Sequence, residues 1–224
     1  MRAFCLLIGA AGLLAMAMAT AVAAKDWDFE DATAGKLPEG WSAAKTGTGP
    51  GSQWEVIEDK TAPKGPKVLA QVSSEGPKPL FNLCVDDKSS YQDLDLSVSF
   101  KAVRGKIDQG GGPVWRYQDA NNYYVCRMNP LEVNFRLYKV VDGKRSKLAS
   151  ADVPLGEDEE PEGLTGKWHT IRVVQIDNRV RCYLNGKLLL GTKDDTLKQA
   201  GKVGLWTKAD AVTSFANLTV GAPK

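Results

Sequence analysis

The sequence predicts an all-β fold, a two-sheet antiparallel jelly-roll sandwich. Three observations predict it. Short runs alternate apolar and polar residues with period two, tight-turn dipeptides separate the runs, and no stretch of ten or more residues carries a good 3.6-residue apolar stripe. About a dozen such strands in one chain bury their apolar faces only in a sandwich or a barrel.

The N-terminus stands apart from this pattern. Arg2 precedes residues 3–23, which are almost wholly apolar and small, and Ala21-Val22-Ala23 or Val22-Ala23-Ala24 suits a signal peptidase. Residues 1–24 are therefore expected to be a signal peptide, and residues 25–224 a single exported domain, periplasmic or extracellular. The rival reading is a retained anchor, because the run is nearly long enough to span a bilayer. Nothing later in the chain is apolar enough to cross a membrane.

The strands follow in order. Residues 53–59, 67–73, 79–85 and 93–103 come first, each with alternating or continuous apolar character. The pair 113–118 and 122–129 reads as a hairpin, and 132–141 follows it. The later runs are 168–177, 179–186, 187–193, 202–208 and 212–220. Asp142-Gly143 and Asn185-Gly186 are two-residue hairpin turns that suit the twist of the flanking strands, and Asp177-Asn178 is a weaker one. Residues 194–201 offer one helical turn, and the acidic run 157–162 reads as a solvated loop.

Composition removes several function classes. The 224 residues carry 29 basic and 27 acidic side chains, a formal charge of +2 spread along the chain. Without a basic stripe, nucleic acid and anionic membranes are poor partners. Cys84, Cys126 and Cys182 lie in apolar strands and read as buried thiols; a bridge between two of them stays open, and the sequence does not say which. His169 is the single histidine and sits at a strand start, so zinc and a histidine-driven nucleophile have little to build on. No G-x-S-x-G elbow exists. Gly110-Gly111-Gly112 lacks the lysine and helix of a phosphate loop and reads as a close backbone approach or a bulge.

Alternation divides the hairpin. Trp115 and Tyr117 are expected on one face, with Val114, Arg116 and Gln118 on the other. Cys126 and Met128 want the core and take Tyr124 with them, which sends Tyr123, Arg127 and Asn129 outward. Asn134, Arg136 and Tyr138 give the next strand a similar mixed face. A patch of Arg, Asn and Tyr suits a sugar, which asks for aromatic faces beneath its ring and amide or guanidinium donors at its rim. The plain alternative is a solvated sheet face with cross-strand pairs.

Several segments carry a resemblance. Trp168-His169, the Tyr183-Leu184-Asn185-Gly186-Lys187 turn and the strand 202–206 resemble concanavalin A-like, laminin-G-like jelly rolls. With residues 26–30, 37–41, 108–124, 131–139 and 204–215, the chain resembles bacterial exported domains linked to 3-keto-disaccharide hydrolases and 3-keto-glycoside lyases. Such chains are sometimes labelled family 16 glycoside hydrolase. That label implies an E-x-D-x-x-E strand, whose carboxyl pair retaining hydrolysis requires; this sequence has none.

The resemblance implies a ligand on the concave sheet. Its substrate-binding candidates are Arg116, Tyr123, Arg127, Asn129, Asn134 and Tyr138, with Trp206, Lys208 and Asp210 flanking the same face. If the chain acts on 3-keto sugars, the ketone acidifies the neighbouring C–H. The bond then breaks by base-assisted elimination, with Glu132, Asp108 or Asp119 as base and Arg116, Arg127 or Lys208 holding the oxyanion. The catalytic candidates are thus Glu132, Arg127 and Asp108. No cofactor is specified. Calcium or another divalent metal is the one candidate, and a structural calcium would use Asp28 and Glu30; the F-D-D or F-D-N usual at its other end is here Phe215-Ala216-Asn217. The first functional reading is an exported carbohydrate-recognition sandwich, the second an enzyme cleaving 3-keto-glycosides, and the third a structural or adhesion domain.

Overall fold

The computed structural model describes residues 24–157 and 160–223. The expected signal peptide lies outside the described residues except for Ala24. Fifteen strands form: β1 (Lys25–Trp27), β2 (Trp41–Thr46), β3 (Trp54–Glu58), β4 (Lys67–Gln71), β5 (Phe81–Asp86), β6 (Leu94–Arg104), β7 (Gly111–Asp119), β8 (Asn122–Asn129), β9 (Asn134–Val141), β10 (Lys144–Asp152), β11 (Trp168–Ile176), β12 (Arg179–Leu184), β13 (Lys187–Lys193), β14 (Lys202–Lys208) and β15 (Val212–Gly221). They make the expected two-sheet antiparallel sandwich. One sheet runs β13-β12-β11-β6-β15-β4-β3, with β1 on β15; the other runs β10-β9-β8-β7-β14-β5-β2.

Period-two alternation explains the layer between the sheets. β12 buries Val180, Cys182 and Leu184 and turns Arg179 and Arg181 to water. β8 sends Tyr124, Cys126 and Met128 into the same core, where Phe100, Trp115, Phe135, Leu205 and Phe215 meet them. The Trp115 indole N–H donates to Gln175 Oε1 at 2.5 Å, which satisfies a buried polar pair between the sheets. Cys84, Cys126 and Cys182 are buried free thiols. Burial raises the Cys126 thiol, and it meets Cys182 across the sandwich.

The seven-stranded sheet also buries its other face. Phe81, Leu83, Val85, Val114, Tyr117, Tyr123, Val125, Tyr138, Val140 and Trp206 form a second apolar cluster there. The sheet curls far enough that Thr46 Oγ1 in β2 lies 2.8 Å from the Tyr123 hydroxyl in β8, although β5, β14 and β7 stand between these strands. This concave side is therefore partly a second core.

The strands that alternation missed are edge or short ones. β10, at one edge of the curled sheet, reads Lys-Arg-Ser-Lys-Leu-Ala-Ser-Ala-Asp and is mostly solvated, as edge strands protected against association are. β2 closes the other edge, and β1 has only three residues. The helical turn falls at Pro161–Leu164, a 3-10 turn, and not at 194–201, which has no helix. A proline at the first helical position suits the former.

Candidate functional site

The turn between β8 and β9 builds the centre of the site. Asn129 Oδ1 accepts the Leu131 backbone N–H at 3.0 Å, and the Val133 N–H bonds back to the Pro130 carbonyl at 3.3 Å. Val133 itself has φ = 49°, a left-handed conformation that costs a β-branched residue energy and tends to occur where geometry serves a site. The turn brings Glu132 and Asn134 together: Asn134 Nδ2 donates to the Glu132 carbonyl at 3.0 Å and to Glu132 Oε2 at 3.2 Å.

Arg127 fills the space beneath. Its Nη1 donates to Asn134 Oδ1 at 2.6 Å and its Nη2 to Glu132 Oε2 at 2.7 Å. Arg136 approaches the same Glu132 oxygen at 3.4 Å, and the Tyr138 hydroxyl accepts from both arginines at 3.4 Å. Arg127 is only 2% exposed, whereas the Glu132 and Arg136 side chains are 40% and 30% exposed. Water and ligand therefore reach the rim of this set but not its floor.

A second group adjoins it. Asp108 accepts from Lys208 Nζ at 2.6 Å, from Asn129 Nδ2 at 3.1 Å and from the Gly110 N–H at 2.7 Å. Glycine is required at 112, and a side chain at 110 would displace the Asp108 carboxylate. A Cβ on Gly110 would lie 2.8 Å from Asp108 Oδ1, and one on Gly112 would lie 2.0 Å from the Cys126 carbonyl oxygen. The glycine run is thus the close backbone approach that the sequence suggested.

Electrostatics fix the protonation states. Partial burial would raise the Glu132 carboxyl, but the hydrogen bond and charge of Arg127, then Asn134 and Arg136, hold it at about 2. Burial would likewise raise the Tyr138 phenol, and Arg127, Arg136 and Arg145 bring it below its ordinary value. A structural carboxylate behaves like Glu132: Asp194 accepts from Tyr124 at 2.6 Å and Lys139 at 2.7 Å and is held, against burial, at about 2.

Both folded values lie below the ordinary ones of 4.5 and 3.8. Their stabilisation is therefore present above the unfolded values and is lost as pH falls toward 2. The melting temperature is expected to hold between about pH 7 and pH 5 and to drop between about pH 4.5 and pH 2. Asp194→Asn should flatten that drop and lower the neutral-pH melting temperature.

The predicted site residues do not all come together. Arg127, Asn129, Asn134, Tyr138, Glu132, Asp108 and Lys208 come together as described. Tyr123 and Trp206 face the concave side but have no exposed surface, so neither forms an open platform for a sugar ring. Asp210 accepts the backbone N–H groups of Lys106, Ile107 and Asp108; it positions the loop carrying Asp108 and has no free edge for a ligand.

Arg116 lies elsewhere. With φ = 44° it interrupts the alternation, and the β7–β8 register shifts between Trp115 and Asp119. The expected pairing of faces fails for that reason: Trp115 enters the inter-sheet core, while Tyr117 stacks on Tyr123 across the concave face at 6.0 Å. Arg116 donates to the carbonyls of Gln92, Leu197 and Asp177 and tethers loops at the sandwich edge. Asp119 caps the β7–β8 turn through the Asn121 N–H and Asn122 Nδ2.

Asp28 and Glu30 each take part in a local hydrogen bond. Glu30 Oε1 accepts the Lys67 backbone N–H, Asp28 Oδ1 accepts the Glu30 N–H, and no group of three or more His, Cys, Asp or Glu converges among the described residues. His169 Nε2 lies 3.0 Å from the Leu164 carbonyl in a buried position, the structural role expected for it.

Sequence reasoning missed Arg145. It stands opposite Val140 on β10, and Val140 belongs to the concave cluster, so its side chain projects over that cluster. Its guanidinium carbon lies 4.4 Å from the Tyr138 ring centre, 4.9 Å from Phe81 and 5.9 Å from Trp206. The Asp142-Gly143 turn was the available signal, because it implies a partner strand after it. A cleft of about 690 Å³ lies on the other sheet, lined by Val174, Asp177, Arg179, Arg181 and Thr192 among others. It holds no comparable convergence of polar side chains, so the concave rim is the stronger candidate.

A family model described as a 3-keto-alpha-glucoside-1,2-lyase-like domain matches residues 28–221. No curated protein matches the sequence. Among solved structures, the carbohydrate binding module CBM66 from Bacillus subtilis superposes with a TM-score of 0.61 at 17% identity, over 82% of this chain and 96% of that one. The cellulose induced protein Cip1 gives 0.60 at 12% identity, over 88% and 97%. A Bacillus subtilis protein of unknown function with a galectin-like fold gives 0.54 at 11% identity, over 81% and 88%. At these identities the likeness is one of fold.

Proposed function

The chain belongs to the 3-keto-alpha-glucoside-1,2-lyase-like domain family, and from that membership we propose that it is an exported carbohydrate-recognition sandwich whose sugar docks at the rim of the concave sheet. The observation that carries this reading is the rim itself. Glu132, Arg136 and Lys208 are partly exposed above a buried Arg127–Asn134–Tyr138–Asn129 set that locks their geometry. Guanidinium, ammonium, carboxylate and phenol groups held this way match the vicinal hydroxyls of a pyranose without reorganising on binding.

Recognition is favoured over turnover by the state of the carboxylates. Glu132, held at about 2, is a weak base at neutral pH. Asp108 is 1% exposed and takes three hydrogen bonds. Titration with a glycan panel that includes 3-keto-disaccharides and their parents tests the reading. At least one member should bind, and Arg136→Ala should weaken it about tenfold with little change in melting temperature. Binding of no member, or binding indifferent to Arg136→Ala, would sink the proposal.

The family's description favours a second reading, cleavage of 3-keto-glycosides. Glu132 would take the proton beside the ketone, Lys208 at the rim would hold the enolate oxygen, the bond from the anomeric carbon to the glycosidic oxygen would break, and that oxygen would leave as an alcohol on taking a proton back from the protonated Glu132 or from water. Mass spectrometry of 3-keto-disaccharides incubated with the protein decides it: products that vanish with Glu132→Ala make the rim an active site.

A further inference from the structure

We propose that the sugar taken by this site carries an oxyanion, a carboxylate or a sulfate, and that Arg145 receives it. The inference rests on the sugar-recognition reading and adds the chemical class of the ligand. Its first support is a donor without an acceptor. Arg145 Nη1 is buried and has no hydrogen-bond partner among the described residues, a condition that costs stability unless something else supplies the acceptor.

The second support is how Arg145 is held. Tyr138, Phe81 and Trp206 surround its guanidinium at 4.4–5.9 Å. Ring contacts satisfy the faces of a guanidinium and leave its edges, where the N–H donors lie, for a planar or tetrahedral oxyanion. The side chain is fixed before binding, so little rotamer entropy remains to be lost.

The third support is the local charge. Arg127, Arg136, Arg145 and Lys208 face Asp108 and Glu132 across this side of the sheet. Four cations less two carboxylates leave +2 there, equal to the formal charge of the whole chain. Lys147, opposite Tyr138, adds an exposed cation at the edge. Both carboxylates are already paired with Arg127, Arg136 and Lys208, so Arg145 is the one of these four cations without a carboxylate partner among the described residues. Burial, and then the charge of Arg127, lowers its pKa while Tyr138 and Asp108 oppose the change; an incoming anion would relieve that cost.

The test compares D-glucuronate, glucose 6-sulfate and glucose at matched ionic strength, by ligand-observed NMR with the intact protein. The wild type should bind at least one anionic sugar about tenfold more tightly than glucose, and the two anions separate carboxylate from sulfate. Arg145→Gln should bring that preference within about twofold of unity, and Arg145→Lys, which keeps the charge but loses the fork, should fall between. Arg179→Gln, on the other sheet, should leave it unchanged. Glucose bound as tightly as both anions overturns the inference and leaves sugar recognition standing, as does a preference that survives in a folded Arg145→Gln. Failure of all three sugars overturns the inference, and failure of the wider glycan panel as well removes the recognition reading beneath it.

Discussion

Replacing Arg127 by alanine is expected to destabilise the protein by about 3–5 kcal/mol and to abolish ligand binding at the concave rim. The side chain is 2% exposed and makes its two short hydrogen bonds to Asn134 and Glu132. Its removal strands the buried Asn134 amide oxygen and leaves a void beneath Tyr138. Glu132 offsets part of the cost, because its side chain is 40% exposed and can turn to water; the expected value therefore lies toward 3 kcal/mol. Arg127→Lys should recover only a fraction, since one ammonium cannot match the fork that serves both acceptors. Denaturant unfolding measures both variants, and a loss below about 1 kcal/mol for Arg127→Ala would show that the buried pair has little hold on the turn.

Asp210→Ala is expected to cost about 2–4 kcal/mol and to loosen Asp108. Burial raises the Asp210 carboxyl, yet the N–H groups of Ile107, Lys106 and Asp108 bring it below its ordinary value. Those three donors hold the loop that ends in Asp108, and Lys208 and Asn129 depend on where Asp108 stands. Alanine would leave the amides to water and let the loop move. Hydrogen exchange reads this locally: amides 106–108 should exchange faster while those of β11 and β12 keep their protection. Unchanged exchange at 106–108 would mean that the loop is held by its ends alone.

The fold was legible because strand patterning is local. Alternation located β3 to β9 and β11 to β15 to within a few residues, and the Asn185-Gly186 turn fixed the hairpin of β12 and β13. What it missed has a shared cause: β10 is a polar edge strand that buries little, so it leaves no apolar signature. Arg145 was lost with it. Arg116 failed for a different reason. A single left-handed residue moves Trp115 and Tyr117 to opposite faces of the sheet, and nothing in a period-two reading reveals a bulge. The burial of Tyr123 and Trp206 follows from the curl of the whole sheet, which depends on contacts such as Thr46–Tyr123 between residues far apart in sequence. The polar centre was more accessible, because Arg127, Asn129, Asn134 and Tyr138 share one face across a single short turn.

Backbone amide NMR with a sugar that binds locates the ligand. For a sugar at the concave rim the largest shifts fall at residues 108–110, 129–138, 145 and 208. Shifts centred instead on the cleft around Val174–Lys193 of the other sheet would contradict binding at the rim.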